Sequence, residues 1–158
     1  MSHAYRATVS WRLPEDEDFT SRRYSRAHDW RFDGGITVPA SSSPSIVPLP
    51  WSRADAVDPE EAFVAALSSC HMLFFLHHAA NAGLEVLEYV DDAVGTMGRD
   101  TQGRTAIREV CLHPVVRCRG AAPPAEQLRS LHEAAHGDCF LASSVAFPIR
   151  IEPFESGS

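Results

Sequence analysis

The chain has no uninterrupted apolar run of the roughly 18 residues that a membrane-crossing helix requires. Its most hydrophobic stretch, residues 63–80, is broken by Ser68, Ser69, His71, His77 and His78, and reads as the buried helix of a soluble fold, which sets membrane partners aside. Nor is there a Lys/Arg cluster. With a formal charge of -7, the chain lacks the concentrated basic patch that nucleic acid or an anionic lipid surface would need. The first twelve residues, Met-Ser-His-Ala-Tyr-Arg-Ala-Thr-Val-Ser-Trp-Arg, carry neither an apolar targeting core nor a cleavage pattern, so a cytoplasmic location is expected. In that compartment a static disulfide is disfavoured. The four cysteines, Cys70, Cys111, Cys118 and Cys139, therefore read as free thiols, metal ligands or a catalytic pair.

What is present is ordinary in bulk. A length of 158 residues fits one domain, and 44% hydrophobic with 22% charged residues is the composition of a folded globular protein. Alternation over Tyr5–Arg12 and over Arg22–Phe32, closed by Asp33-Gly34-Gly35, predicts an N-terminal hairpin within residues 4–35. Prolines 39, 44, 48 and 50 and the serines at 41–43 predict a long irregular loop over 36–57, of a length that often covers a site. Asp58-Pro59-Glu60-Glu61 is a helix start: a capping aspartate, proline in the first turn, and acids facing the positive end of the dipole. That central helix is expected over 58–82, stopped by Gly83. A second hairpin follows over 84–118, turning at residues 98–104. Pro123-Pro124 opens a second helix over 124–136 with Gly137 as its stop, and a final strand is expected at 145–151.

Hairpins and helices segregated in this way predict an α+β fold, with antiparallel sheets packed on long central helices. Phe63, Val64, Leu67, Cys70, Met72, Leu73, Phe74, Phe75 and Leu76 cover more than one face of the central helix. One small sheet cannot bury such a helix, so a second copy of the chain is expected to do so, as an intertwined homodimer.

A thiolate is a nucleophile, and an ordinary cysteine is mostly protonated at neutral pH. Cys70 lies twelve positions past the helix cap, too far for the dipole to ionise it, so a guanidinium is needed. Arg22, Arg23, Arg26 and Arg31 are the candidates. A carboxylate would have to hold that guanidinium, and Glu60 and Glu61 are available. On a straight helix Glu60 stands about 15 Å of rise from Cys70, so either the helix breaks or the pair arrives from the other subunit. A composite site at the dimer interface is the preferred expectation.

Tyr24-Ser25-Arg26-Ala27-His28 with Phe32-Asp33-Gly34-Gly35, then Asp58-Pro59-Glu60-Glu61 followed by Ala62 to Cys70, then Ala135-His136-Gly137-Asp138-Cys139, together resemble the OsmC/Ohr family of osmotically induced and organic-hydroperoxide-resistance proteins. The resemblance runs in order along nearly the whole chain. It implies an intertwined dimeric thiol peroxidase in which Cys70 is peroxidatic, Cys139 resolving, Glu60 the paired carboxylate and Arg26 the activating cation. It also implies turnover through a Cys70 sulfenic acid and an intramolecular disulfide, reopened by an external dithiol of lipoyl type, with no bound cofactor or metal. The chain departs from common members in its long loop and in Phe140 after Cys139. Leu67, Leu73, Phe74 and Phe140 would form an apolar wall favouring organic hydroperoxides over hydrogen peroxide.

Other readings stand beside this one. Cys111 and Cys118, read on one strand, face opposite sides and are taken as structural. His132 and His136 near Cys139, with His71, His77 and His78 on the first helix, permit a zinc site, although no CxxC or HExxH spacing occurs and helix histidines are usually solvated. A redox sensor or binding protein without efficient turnover is a third.

Overall fold

The computed structural model describes residues 3–152 and 155–156. The fold is α+β, built from mainly antiparallel sheets and two long helices, and the chain divides into two compact units, Met1–Ala62 and Phe63–Ser158.

In the first unit β1 (Ala7–Ser10), β2 (His28–Phe32) and β3 (Thr37–Ala40) form an antiparallel sheet in that order. Gly35, at φ +86, makes the turn between β2 and β3, a region glycine enters without a Cβ penalty. The strand expected from Arg22 begins only at His28. Arg22 has a φ of 64, and the Ser25 hydroxyl takes the Ala27 N–H (3.1 Å), so local turns hold residues 18–27. β3 lies inside the segment whose prolines predicted irregular chain. Pro39 is tolerated there because β3 is the outer strand of the sheet, where a missing donor costs least. Beyond it the loop is tied down by buried Ser41, whose hydroxyl accepts the Arg53 N–H (2.9 Å) and donates to the Ser42 carbonyl (3.1 Å).

Helix α1 runs unbroken over Pro59–Asn81. Its start is a capping box: Asp58 Oδ1 accepts the Glu61 N–H (2.8 Å), and Glu61 Oε2 accepts the Asp58 N–H (3.3 Å). Its end is a Schellman motif, with Gly83 at φ +76, the Leu84 N–H on the Ala79 carbonyl (2.9 Å) and the Gly83 N–H on the Ala80 carbonyl (3.0 Å).

In the second unit the expected pair of long strands is four shorter ones: β4 (Val86–Asp91), β5 (Val94–Arg99), β6 (Thr105–Leu112) and β7 (Pro114–Cys118). Asp91 makes the break. Its carboxylate accepts the His113 N–H (2.6 Å) and the Ser68 hydroxyl of α1, and Pro114 has no N–H to continue the ladder. Two sheets result, β4-β7-β9 and β5-β6-β8, in which β8 (Ile149–Ile151) and β9 (Glu155–Ser156) add in parallel. Cys111 and Cys118 thus lie in different sheets rather than on one strand. The last expected strand starts at Ile149, after a 3₁₀ turn at Ala142–Ser144. Helix α2 (Ala125–Asp138) continues through Gly137, and the chain becomes extended only at Cys139.

Helix α1 enters two apolar clusters. Leu67 packs with Val110 and Leu112, whereas Phe75 and Ala79 pack with Val116 of β7 and with Leu128, Leu131 and Ala135 of α2. Close approach of β5 to α1 requires Gly95: a Cβ there would lie 2.5 Å from Val64 Cγ2. Gly95→Ala is therefore expected to cost about 1–3 kcal/mol by overpacking, read as a lower denaturant midpoint. By length and hydropathy α1 is long and apolar enough to cross a membrane, although polar residues interrupt it; 22% of that window is buried in a single chain.

Candidate paired-thiol site

The mid-section of α1 and the end of α2 bring together two of the four free cysteines. Cys139, 1% exposed, follows the last turn of α2, and its thiol lies against that of the half-buried Cys70. Burial pushes the Cys139 thiol up first, and the Cys70 thiol beside it adds to the rise. The Ala142 N–H, donated to Cys139 Sγ at 3.4 Å, works the other way. One turn beyond Cys70, Phe74 meets Phe140, the residue after Cys139, edge to face at 5.0 Å between ring centres. Two thiols under an aromatic wall can form a disulfide after one of them is oxidised. Cys111 and Cys118 are pushed up by burial and have no such neighbour among the described residues.

Of the other residues expected in an apolar wall, Leu73 is 60% exposed on α1 and Phe140 is 71% exposed. Leu67 is instead packed into the core against β6, so its side chain is not free to line a cleft.

Arg26 and Glu60 belong to the first unit. The Arg26 guanidinium lies 3.8 Å over the Tyr24 ring, and its Nη1 donates to the carbonyls of Arg22 (3.0 Å) and Tyr24. It lines a cavity of ≈ 370 Å³ with Trp11, Phe19, Tyr24, His28 and Pro59. Trp11, Phe19 and Tyr24 contact one another in sequence there, at 4.8 to 5.9 Å between ring centres. Arg22, Arg23 and Arg31 are exposed, so of the four candidates only Arg26 is half-buried. Glu60 is exposed and makes no ion pair among the described residues, while Glu61 is committed to the capping box.

His77 and His136 are exposed, as expected of helix histidines, whereas His71 and His132 are not. His71 and His132 are 2% and 1% exposed, with His71 Nε2 3.0 Å from His132 Nδ1 and their rings nearly parallel (6°). Phe75 stacks on His132 at 4.3 Å. His132 is therefore engaged with α1, and among the described residues no group of three His, Cys, Asp or Glu is placed to hold a metal. The available signal was position: His132 falls on the same helix stripe as Leu128, Leu131 and Ala135.

Burial lowers His71 to about 4 and His132 to about 3 from the ordinary 6.5, with each helped by a neighbouring histidine. Both rings are thus neutral when folded, whereas in the unfolded chain both take protons near pH 6.5. The stability they contribute is whole above that pH and is lost as pH falls towards 4 and then 3. Unfolding free energy is expected to fall by up to about 3 kcal/mol per pH unit for the two rings between pH 6 and 4. Replacing both by phenylalanine should flatten that part of the curve in denaturant titrations.

Fold and site define an α+β protein with an apposed cysteine pair between two helices. The OsmC-like protein model matches residues 52–153, and the chain belongs to that family. An OsmC-like protein of unknown function from Vibrio cholerae is 47% identical with a TM-score of 0.92, over 96% of this chain and 99% of that one. An organic hydroperoxide resistance protein from Elizabethkingia anophelis shares the fold at 19% identity and TM-score 0.72, over 100% and 99% of the two chains. That of Bacillus subtilis does so at 16% identity and TM-score 0.65, over 95% and 97%. No curated protein matches the chain.

Proposed function

We propose that the protein is a thiol-dependent peroxidase that reduces organic hydroperoxides to alcohols. The observation that carries this reading is the apposition of Cys70 and Cys139 under the Phe74–Phe140 wall. The two thiols differ as the two steps require: the more accessible Cys70 meets the peroxide, and buried Cys139 waits beside it. Cys70 thiolate attacks the distal peroxide oxygen, the O–O bond breaks, and the departing alkoxide takes a proton to leave as alcohol. Cys70 sulfenic acid then condenses with the Cys139 thiol, releasing water and forming the disulfide. An external dithiol, of lipoyl type by family resemblance, reopens it by exchange and is itself oxidised to a disulfide. No bound cofactor enters these steps, and the reading puts the protein in the reducing cytoplasm.

Ionisation of Cys70 is assigned to Arg26, with Glu60 as the carboxylate that holds it, in a composite site of a homodimer. Two observations support the dimer. Helix α1 is unbroken, so Glu60 and Cys70 cannot approach along it, and its face is left open at Phe63 (39% exposed) and Leu73 (60% exposed). Size-exclusion chromatography with mass detection is expected to give twice the chain mass at micromolar concentration.

The function is tested by following cumene hydroperoxide consumption with dihydrolipoamide. Cys139→Ser is expected to consume one equivalent and stop as a Cys70 sulfenic acid, trapped by dimedone and seen as a mass adduct. Equal efficiency on hydrogen peroxide, or steady turnover by this variant with the same dithiol, would contradict the scheme.

A further inference from the structure

We propose that the buried His71–His132 hydrogen bond sets the register of α1 against α2, and thereby keeps the Cys70 thiol beside that of Cys139. The inference rests on the paired-thiol reading above and makes the two histidines positioning residues of that pair.

Location is the first ground. His71 directly follows Cys70, and His132 precedes Cys139, the residue that closes α2, by seven residues, about two helical turns. Any slip or rotation at the histidine contact is therefore passed to both sulfurs. A disulfide tolerates little of it: Cβ atoms must come within about 3.5–4.5 Å, and one residue of helix rise is about 1.5 Å.

The second ground is what this contact supplies that an apolar one does not. Two imidazoles, 2% and 1% exposed, have given up their hydration, and an apolar pair of like volume would fill the site without that cost. The hydrogen bond adds direction. His71 Nδ1 has no hydrogen-bond partner among the described residues, so the Nε2 contact at 3.0 Å orients that ring. On the other side, Phe75 stacked at 4.3 Å fixes the plane of His132, with Tyr89 of β4 beyond it at 6.4 Å. A second polar link between the helices, His78 Nε2 to Asp138 Oδ2 at 2.9 Å, is partly exposed and is weakened by solvent.

The test measures the cysteine pair without peroxide. The full-length protein is equilibrated in glutathione buffers, in which two cysteine thiols and one oxidised glutathione exchange to one Cys70–Cys139 disulfide and two reduced glutathiones. Parent, His71→Phe, His132→Phe and the double variant are compared for this equilibrium constant and for denaturant stability. Each single variant is expected to lower the constant at least tenfold and to lose stability. The double variant, with no nitrogen left to satisfy, is expected to recover stability but not the disulfide constant. Recovery of both together, or single variants within twofold of the parent constant, would overturn the proposal. A parent that forms no such disulfide overturns it too. A parent and variants that behave as expected while hydroperoxide is not consumed would leave the register role standing and remove the peroxidase reading.

Discussion

Cys70→Ser is expected to abolish hydroperoxide reduction, lowering the rate by roughly a thousandfold or more to the background of free peroxide and dithiol. A serine hydroxyl occupies nearly the same space as the thiol, so the helix and its packing should be unchanged. What is lost is an ionisable, polarisable nucleophile: a hydroxyl stays protonated at neutral pH and cannot take an oxygen atom from a peroxide. Cys139→Ser differs in kind, since it keeps the first oxidation and loses only the disulfide. The contrast is what separates the mechanism from a packing role. If Cys70→Ser retained turnover while Cys111→Ser or Cys118→Ser lost it, the site would have to be moved to the sheets, where those thiols lie apart and are raised by burial. The measurement is peroxide consumption at fixed dithiol, beside mass spectrometry of the oxidised intermediates.

Phe75→Ala is expected to lower unfolding free energy by about 3–5 kcal/mol, the largest stability effect of a single substitution here. Phe75 is fully buried where α1 meets β7 and α2, packed with Val116, Leu128 and Leu131. Truncation removes its burial energy and also the ring stacked on His132 at 4.3 Å, opening a space beside a buried hydrogen bond. The denaturant midpoint reports the loss. Because Phe75 braces His132, the disulfide equilibrium should fall as well, whereas Gly95→Ala, made against the other apolar cluster, should cost stability and leave that equilibrium close to the parent value. The two variants therefore separate general loosening from loss of register.

Much of α1 is legible in the sequence because its signals are local. Asp58 and Glu61 cap each other three residues apart, and Gly83 closes the last turn at a positive φ that favours glycine. The α+β class, Cys70 on the first helix and Cys139 just after the second are legible for the same reason. Pro39 misled because a proline says only that a donor is missing, and an outer strand does not need one. The split of the second hairpin was hidden because it depends on Asp91, a residue of β4, capturing the His113 N–H 22 residues away. His71 and His132 are 61 residues apart, and nothing in either helix alone says that their rings meet.

By itself, then, the sequence determined where the long helices begin and where α1 ends, and it placed two thiols where a helix pair could unite them. Those are outcomes of hydrogen bonds and backbone preferences within a turn or two. Tertiary structure decided the division into two sheets, the burial of two histidines and the meeting of Cys70 with Cys139. Each of these depends on groups distant in the chain excluding water together, and the side chain that ends up buried is chosen by the whole packing arrangement rather than by its neighbours in sequence.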